Sequence, residues 1–341
     1  MEHLAIDLGG RESQICLRGE DGTILEEQRL STKLLEGLFD RPPARVIVET
    51  CAEAFAVADL ALARGHQVRV VPAALVKSLG VGARGLKSDQ RDARALSAVS
   101  CRIDLPSVHV PSHWSRLTKS QCAMRERLVQ ARTSLVNSVR AWLRMQLKGF
   151  RGGAVKKLPA RVRQRCEQDW GAVPDFLERM LTSLEFLTRQ IEAASKDLAQ
   201  LAEQNEVCQR LMTAPGVGPI TALRFVAALD EVSRFSNANQ VESYIGLTPG
   251  EDSSSERKRI TGITKAGSSA LRWTLVQAAW ATLRSRAAAS PLRSWALQLA
   301  QRRGKRIAVV AVARKLAGIL YALWRDGTTY DPAQAAATAE Q

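Results

Sequence analysis

The chain has 341 residues, of which 45% are hydrophobic, and it carries a net charge of +15. This composition excludes a disordered chain, and the length suffices for two or three domains, each with its own core. So large a positive charge predicts a polyanionic partner, with nucleic acid as the usual one and an anionic membrane surface as the alternative. No apolar run reaches the ~20 residues of a membrane-spanning helix and no signal peptide opens the chain, which favours a cytoplasmic protein without a membrane partner.

The first hundred residues alternate strand and helix patterns. We predict strands at 3–8, 13–18, 23–30, 45–49 and 67–71, and helices at 52–64 and 88–98. Three strands followed by strand, helix, strand and helix is the order of an α/β, ribonuclease-H-like (RuvC-like) domain, although other α/β folds share parts of it. We assign this domain to residues 1–110.

Helical patterns dominate from residue 111 onward. Two long helices are predicted at 115–147 and 173–202, and the loop between them contains Gly149, Gly152, Gly153 and Pro159. The second helix carries a heptad-like apolar stripe. It favours either a helical hairpin that packs on itself or a coiled-coil arm that also serves oligomerisation. We assign this helical, coiled-coil region to residues 111–205.

A third, mostly helical domain is assigned to residues 206–330, with a loose tail at 331–341. It opens with the segment APGVGP, followed by a helix at 220–229, which is the pattern of a helix–hairpin–helix element. Gly216 and Gly218 would leave backbone amides at a helix N-terminus, where a phosphate can dock. A plain Gly/Pro turn between two helices is the alternative.

Basic residues are concentrated in two regions of the sequence. Residues 112–165 contain fourteen Lys or Arg and one acid, Glu126, and residues 253–325 contain fifteen Lys or Arg and one acid, Glu256. A single basic run is usually a solvated face. Two long regions almost without acids predict several phosphate contacts, and hence an affinity that falls steeply with salt.

Four acids of the first domain stand out. Asp7 lies inside the first predicted strand, between Ile6 and Leu8, and Glu49 ends the fourth. A carboxylate among apolar strand residues is costly unless it is paired or binds a metal. Asp89 and Asp92 are three residues apart on one helix face. Converging carboxylates favour Mg²⁺ or Mn²⁺, which can clamp the oxygens of a phosphodiester displacement. Taken singly, each acid also has a structural explanation, such as a pair with Arg45 or a helix N-terminal charge.

Three segments near the start resemble the RuvC-like half of the DEDD transposases, an insertion-sequence family that includes the Piv and MooV invertases and the bridge-RNA-guided recombinases. They read AIDLG (5–9), VIVETC (46–51) and KSDQRDA (87–93). Three later segments resemble the family's second domain. They read PGVGPITA (215–222), YIGLTPGEDSSS (244–255) and GITKAGSSALR (262–272). Both ends match in the same order, so the resemblance covers most of the chain.

The resemblance implies a composite active site. The four acids would hold Mg²⁺ or Mn²⁺, and a serine of the second domain would attack the scissile phosphate to form a phosphoserine linkage that a free hydroxyl later reverses. The family pattern is GL-x-P, four residues, a serine and usually a glycine. Counting from Pro249 gives Ser254 as the nucleophile, but Ser255 stands where the glycine is usual, and Ser253 is also adjacent.

The resemblance and the charge also predict the partners. We expect donor and target DNA, a structured guide RNA, and a homo-oligomer in which dimers pair into a tetramer, in the bacterial cytoplasm beside the nucleoid. The expected nucleic-acid contacts are Gly216 and Gly218 of the hairpin, two residues around the Asp pair and five around the serine: Lys87, Arg91, Arg257, Lys258, Arg259, Lys265 and Arg272.

Three alternatives remain open from the sequence. A Holliday-junction nuclease would use a metal-activated water in place of the serine. A non-catalytic DNA-binding protein would not need the four acids. The segment AIDLGG also resembles the first phosphate loop of sugar kinases with the actin-like fold, which would need a later Gly-rich adenosine motif that the sequence does not show.

Overall fold

The structure, a computed structural model, describes residues 1–78, 89–149, 152–254, 257–285 and 291–332. It divides into two compact units, Met1–Pro111 and Ser112–Gln341. The further division of the second unit at residue 205 stays a prediction.

The first unit is built around a five-stranded sheet of order β3-β2-β1-β4-β5. Its strands are β1 (His3–Asp7), β2 (Glu12–Arg18), β3 (Ile24–Ser31), β4 (Arg45–Glu49) and β5 (Gln67–Val71). The first three strands pair antiparallel, whereas β4 runs parallel to β1 and β5 runs parallel to β4. Its helices are α1 (Ala54–Ala63), α2 (Ala73–Ser78), α3 (Asp89–Ser100) and a 3₁₀ helix (Thr32–Phe39).

The sheet is covered on both faces. Successive side chains of a strand point to opposite faces. Leu4 and Ile6 of β1 therefore join a core with α1 and the 3₁₀ helix, while Ala5 joins a second core with Leu96 of α3. Strand β4 is divided in the same way, with Ile47 on the α3 side. Burial on both faces explains why VIV (46–48) is a continuous apolar run.

The predicted strands of the first unit are all present within a residue or two at each end. The mixed α/β sheet followed by a helical part is confirmed, while the RuvC-like assignment remains a prediction. The 3₁₀ helix and α2 were not predicted. Ser88, the first residue of the helix predicted at 88–98, lies outside the described residues.

The second unit is mostly helical in its described part. Its helices are α4 (His113–Met145), α5 (Leu158–Trp170), α6 (Asp175–Glu203), α7 (Glu206–Met212), α8 (Pro219–Leu229), α9 (Ala238–Ile245), α10 (Ser269–Arg284), α11 (Pro291–Arg303) and α12 (Lys305–Asp326). A two-stranded hairpin, β6 (Pro249–Ser254) and β7 (Arg257–Ile263), lies between α9 and α10. One large core contains residues from all the helices from α7 through α12, together with residues of α4 and α6.

The apolar stripe of α6 packs within its own chain. Leu177 and Leu181 contact residues of α4 and α5, such as Val139 and Val162. The expectation of a loop between the two long helices was wrong in its second half, where α5 spans Leu158–Trp170. Pro159 does not prevent this helix, because a proline in the first helical turn is favourable. The packing agrees with a helical hairpin, and the oligomerising coiled coil stays a prediction.

Helix α12 overturns the expectation that no apolar run reaches the length of a membrane-spanning helix. By length and composition alone this helix is long and apolar enough to cross a membrane. Half of its most apolar stretch is buried inside the protein, and Leu316, Leu320 and Tyr321 lie in the core of the second unit. The Tyr321 hydroxyl donates a hydrogen bond to the Phe235 carbonyl at 2.7 Å. Its apolar residues thus have a core role.

Candidate active site

Asp7 and Glu49 end neighbouring parallel strands. The register pairs His3 with Arg45 and Ile6 with Val48, so the next step along the two strands brings Asp7 beside Glu49. By the alternation of a strand, both acids belong to the face on which α3 packs. Both residues are half-buried. The ends of β1 and β4 thus hold two carboxylates on one side of the sheet, at the edge where ligands bind in open α/β sheets.

Asp92 lies on the face of α3 that meets the sheet. It stands one helical turn before Leu96, which packs against Ala5 and Ile47 in the core beneath α3. Asp92 is only 6% exposed, and its Oδ1 is buried without a hydrogen-bond partner among the described residues. A buried carboxylate oxygen without a partner is costly. A divalent cation would supply such an oxygen with a partner.

The structure places the remaining residues of this motif only in part. Asp89 is the first residue of α3, three residues before Asp92, and its side chain lies outside the described part, as does Lys87. Arg91 is exposed on the same helix. Among the side chains that are described, no three His, Cys, Asp or Glu residues gather closely enough to hold one metal ion. The structure therefore brings Asp7 beside Glu49 and turns Asp92 toward the same face of the sheet, but it does not show a closed ligand set.

Ser254 lies at the end of β6 in the hairpin. The antiparallel register pairs Ser254 with Arg257 and Ser253 with Lys258, and it pairs Asp252 with Arg259. The backbone thus sets the two serines directly across from basic residues. Their side chains, and Ser255, lie outside the described part. The hairpin was not predicted, because Gly, Asp and Ser are depleted in strands.

The base of this hairpin is held by close backbone contacts between two sequence motifs. The Thr264 amide donates to the Thr248 carbonyl at 2.9 Å, and the Lys265 amide donates to the Gly246 carbonyl at 3.1 Å. A Cβ atom at Gly267 would overlap the Tyr244 carbonyl oxygen. The glycines of YIGLTP and TKAGSS are therefore required for two loops to touch.

Two of the predicted nucleic-acid contacts lie beside the loops at the base of the β6–β7 hairpin. Lys265 is exposed and adopts a left-handed backbone conformation, with a φ of 58°. Arg272 is half-buried, and its Nη1 donates to the carbonyls of Ile245 at 3.0 Å and Gly267 at 2.5 Å. Arg272 thus fixes the two loops together. This structural role was missed, because a basic residue in a basic region gives no sign of a carbonyl partner.

The segment APGVGP forms the connection between α7 and α8. Gly216 has a φ of 76°, and a Cβ atom there would overlap the carbonyl of Ala278 on α10. The Thr282 hydroxyl donates to the Pro215 carbonyl at 2.9 Å, which binds the same turn to α10. Gly218 is the N-cap of α8, with open space around the position of a Cβ. Gly216 is thus needed for packing, and phosphate docking at Gly218 stays a prediction.

Comparison with known proteins assigns the two ends of the chain to the same class. A DEDD transposase domain of the IS110 type matches residues 4–146, and a domain described as "Transposase IS116/IS110/IS902 family" matches residues 208–292. The first range includes Asp7, Glu49, Asp89 and Asp92, and the second includes Ser254. The two matched ranges therefore contain every residue of the candidate active site.

Curated relatives extend the similarity over nearly the whole chain. A probable family 20 transposase of Pseudomonas aeruginosa is 31% identical over 85% of this chain and 87% of its own length. The transposases of the insertion sequences IS1111A of Coxiella burnetii and IS1328 of Yersinia enterocolitica are 28% and 29% identical, each over 96% of this chain, and over 90% and 98% of their own lengths. These matches define an insertion-sequence transposase, whose substrate is DNA. The chain belongs to the IS116/IS110/IS902 transposase family.

Proposed function

We propose that this transposase cuts and rejoins DNA through a covalent bond to Ser254, with Asp7, Glu49, Asp89 and Asp92 as the acids of the same active site. The observation that carries the proposal is the placement of Asp7, Glu49 and Asp92 on one face of the sheet, together with the buried oxygen of Asp92 that lacks a partner. Such an arrangement is costly for a purely structural role.

The four acids fit a site for Mg²⁺ or Mn²⁺. Carboxylate oxygens are the hard donors that these cations prefer. When bound, such an ion stabilises negative charge on the attacking and leaving oxygens of a phosphodiester. Asp92 would meet the ion from α3, and Asp7 and Glu49 would meet it from the strand ends, since these are the faces on which the three residues lie.

The serine supplies the covalent step. In the proposed reaction the Ser254 oxygen bonds to phosphorus and gives up its proton, while the bond from phosphorus to the leaving strand oxygen breaks and that oxygen takes up a proton. A free strand hydroxyl then attacks the phosphoserine and reverses the exchange. Because each step exchanges one phosphoester for another, rejoining needs no external energy source. A serine hydroxyl needs activation, and the basic residues opposite Ser254 in the hairpin register are candidates for it.

The acids and the serine belong to different units of the chain. The proposed reaction therefore requires residues 1–110 and 206–330 to reach the same phosphodiester, within one subunit or between subunits. Exchange of two duplexes needs four strand cuts, which supports dimers that pair into a tetramer. The helical region 111–205 would join the two catalytic parts.

The partners follow from charge and family. A net charge of +15 supports binding to DNA and to a structured guide RNA in the cytoplasm beside the nucleoid. The contacts proposed around the active site are Lys87, Arg91, Arg257, Lys258, Arg259 and Lys265. Gly216, Gly218 and Arg272 would act in the same interface through the loops that they shape.

Replacing the acids tests the metal-site part of the proposal. Asp7→Asn, Glu49→Gln, Asp89→Asn and Asp92→Asn should each lower strand exchange by about 100-fold or more, the scale of a lost electrostatic stabiliser. Exchange between plasmids that carry the element ends is the measurement. Asp40→Asn and Glu36→Gln, exposed acids of the same unit, are the matched controls and should exchange strands normally. Near-normal exchange by all four site variants would remove the claim.

A further inference from the structure

A cavity of about 740 Å³ lies within the second unit, between α4, α8 and the base of the β6–β7 hairpin. This size falls inside the roughly 300–1,000 Å³ range of sites for small molecules. Its wall is mostly apolar and includes Ala123 of α4, Ala228 of α8 and Leu271 of α10. The proposed chemistry of Ser254 and the acids uses none of these residues.

One charged pair interrupts the apolar wall. Arg224 of α8 is 8% exposed and forms an ion pair with Glu126 of α4, and both residues line the cavity. Arg224 also donates to the Ala270 carbonyl at 3.2 Å and to the Thr274 hydroxyl at 3.1 Å. Its Nε–H is buried without a hydrogen-bond partner among the described residues. Arg224 thus keeps one buried N–H without an acceptor, and Glu126 brings a carboxylate acceptor to the wall.

The mouth of the cavity is basic and aromatic. Lys119 and Tyr244 line it, and both are exposed to solvent. The guanidinium of Arg234 lies 5.5 Å from the centre of the Tyr244 ring and 5.2 Å from that of Phe235. Surrounding atoms desolvate the Lys119 ammonium and lower its pKa, against the attraction of Asp230. Cations beside an exposed aromatic ring, on which a base can stack, are typical of sites for single-stranded nucleic acid.

We propose that this cavity receives one unstacked base of a single-stranded nucleic acid, whose backbone lies at the mouth beside Lys119. A base has a flat apolar face and an edge with both donors and acceptors, which matches an apolar wall that contains Arg224 and Glu126. A bare phosphate fits less well, because the Glu126 carboxylate in the wall would repel it. The inference rests on the proposed function only in requiring a nucleic-acid ligand.

The location explains what such a site would do. The loops at the base of the hairpin contribute Ile245 and Gly267 to the cavity, and Ser254 lies five residues beyond Pro249 along β6. At about 3.3 Å per residue, the nine residues from Ile245 to Ser254 place the serine at most about 30 Å from the cavity. A base held in the cavity would fix the register of the strand that reaches Ser254.

Binding of the full-length protein to two matched oligonucleotides tests the site. The probes are a fluorescent single strand of about 12 nucleotides, a usual length for such sites, and the same backbone with abasic positions throughout. Fluorescence anisotropy should show the base-bearing strand bound about tenfold or more tightly, the scale of one stacked base. DNA and RNA versions of both probes identify which strand the cavity prefers. Equal affinity for the base-bearing and abasic strands of both kinds would overturn the proposal.

Paired variants test whether the preference for base-bearing strands depends on the cavity. Ala123→Trp fills the mouth and should abolish the preference for bases, while Ala131→Trp, at an exposed position of the same helix outside the cavity, should retain it. Lys119→Ala should lower the affinity for both probes and reduce the salt dependence of binding by about one phosphate contact. Lys196→Ala, at an exposed position of α6, should change neither. Thermal unfolding checks that each variant is folded.

The outcomes separate this inference from the proposed function. If folded Ala123→Trp keeps the full preference for bases while the wild-type protein exchanges strands, the cavity inference fails and the proposed function stands. Equal losses in Ala123→Trp and Ala131→Trp would also overturn it. If the wild-type protein binds none of the probes and no DNA from the element ends, both are wrong.

Discussion

At the scale of single residues, two glycines and the buried Asp92 of this transposase are explained by different physical constraints. Gly267 allows the TKAGSS loop to touch the carbonyl of Tyr244, and Gly216 allows the helix connection to touch α10. Asp92 instead carries a buried oxygen that the described residues leave without a hydrogen bond. The glycines therefore serve the fold, whereas the acid has a cost that a ligand would offset.

Gly267→Ala tests the close contact of the two loops. The added methyl group would overlap backbone atoms that cannot move aside, so we expect a loss of about 1–3 kcal/mol in the free energy of unfolding. Gly262→Ala is the matched control, because a Cβ there meets nothing within 4 Å. Denaturant unfolding of the two variants is the measurement. A stable Gly267→Ala protein would show that the loops do not need to touch.

At the scale of elements, Arg224 joins three helices of the second unit. It lies on α8, it pairs with Glu126 of α4, and it donates to the carbonyl of Ala270 and the hydroxyl of Thr274 on α10. Removing one partner of a buried ion pair leaves the other charge uncompensated. This arginine therefore orients the helices that surround the cavity and support the hairpin.

Arg224→Ala should lower the free energy of unfolding by about 3–5 kcal/mol, the usual cost of breaking a buried pair. Arg127→Ala, at an exposed position of α4, should change it by less than about 0.5 kcal/mol. Thermal and denaturant unfolding of the two variants make the comparison. Similar stability of both would mean that Arg224 is not a structural tie.

At the scale of the whole molecule, the sequence predicted the strands of the first unit and the long helices of the second. A short apolar run such as VIV (46–48), bounded by turn residues, strongly indicates a buried strand. The β6–β7 hairpin and α5 were missed because their stability depends on distant partners. The hairpin is anchored by Thr248 and Gly246 at its base, and α5 is anchored on α6 by Arg163, which pairs with Glu178.

The candidate site was predictable to a similar degree. The strand and helix positions of the acids indicated a metal site, and the family resemblance alone implied the serine. The fold showed that Asp7 lies beside Glu49 and that Asp92 faces the same side. The cavity could not be predicted, because Lys119, Arg224 and Tyr244 come from segments that are far apart in the sequence. No local pattern of residues marks a wall that forms only when helices pack.

Mass spectrometry of a stalled reaction tests most directly whether Ser254 forms the covalent bond to DNA. DNA nicked close to the cleavage site loses a short fragment after attack, so the free hydroxyl needed for reversal is absent and the adduct accumulates. We expect the nucleotide adduct on the peptide that contains Ser254, and its loss in Ser254→Ala with retention in Ser253→Ala. An adduct on Ser253 or Ser255, or cleavage without any adduct as expected for a metal-activated water, would contradict the account.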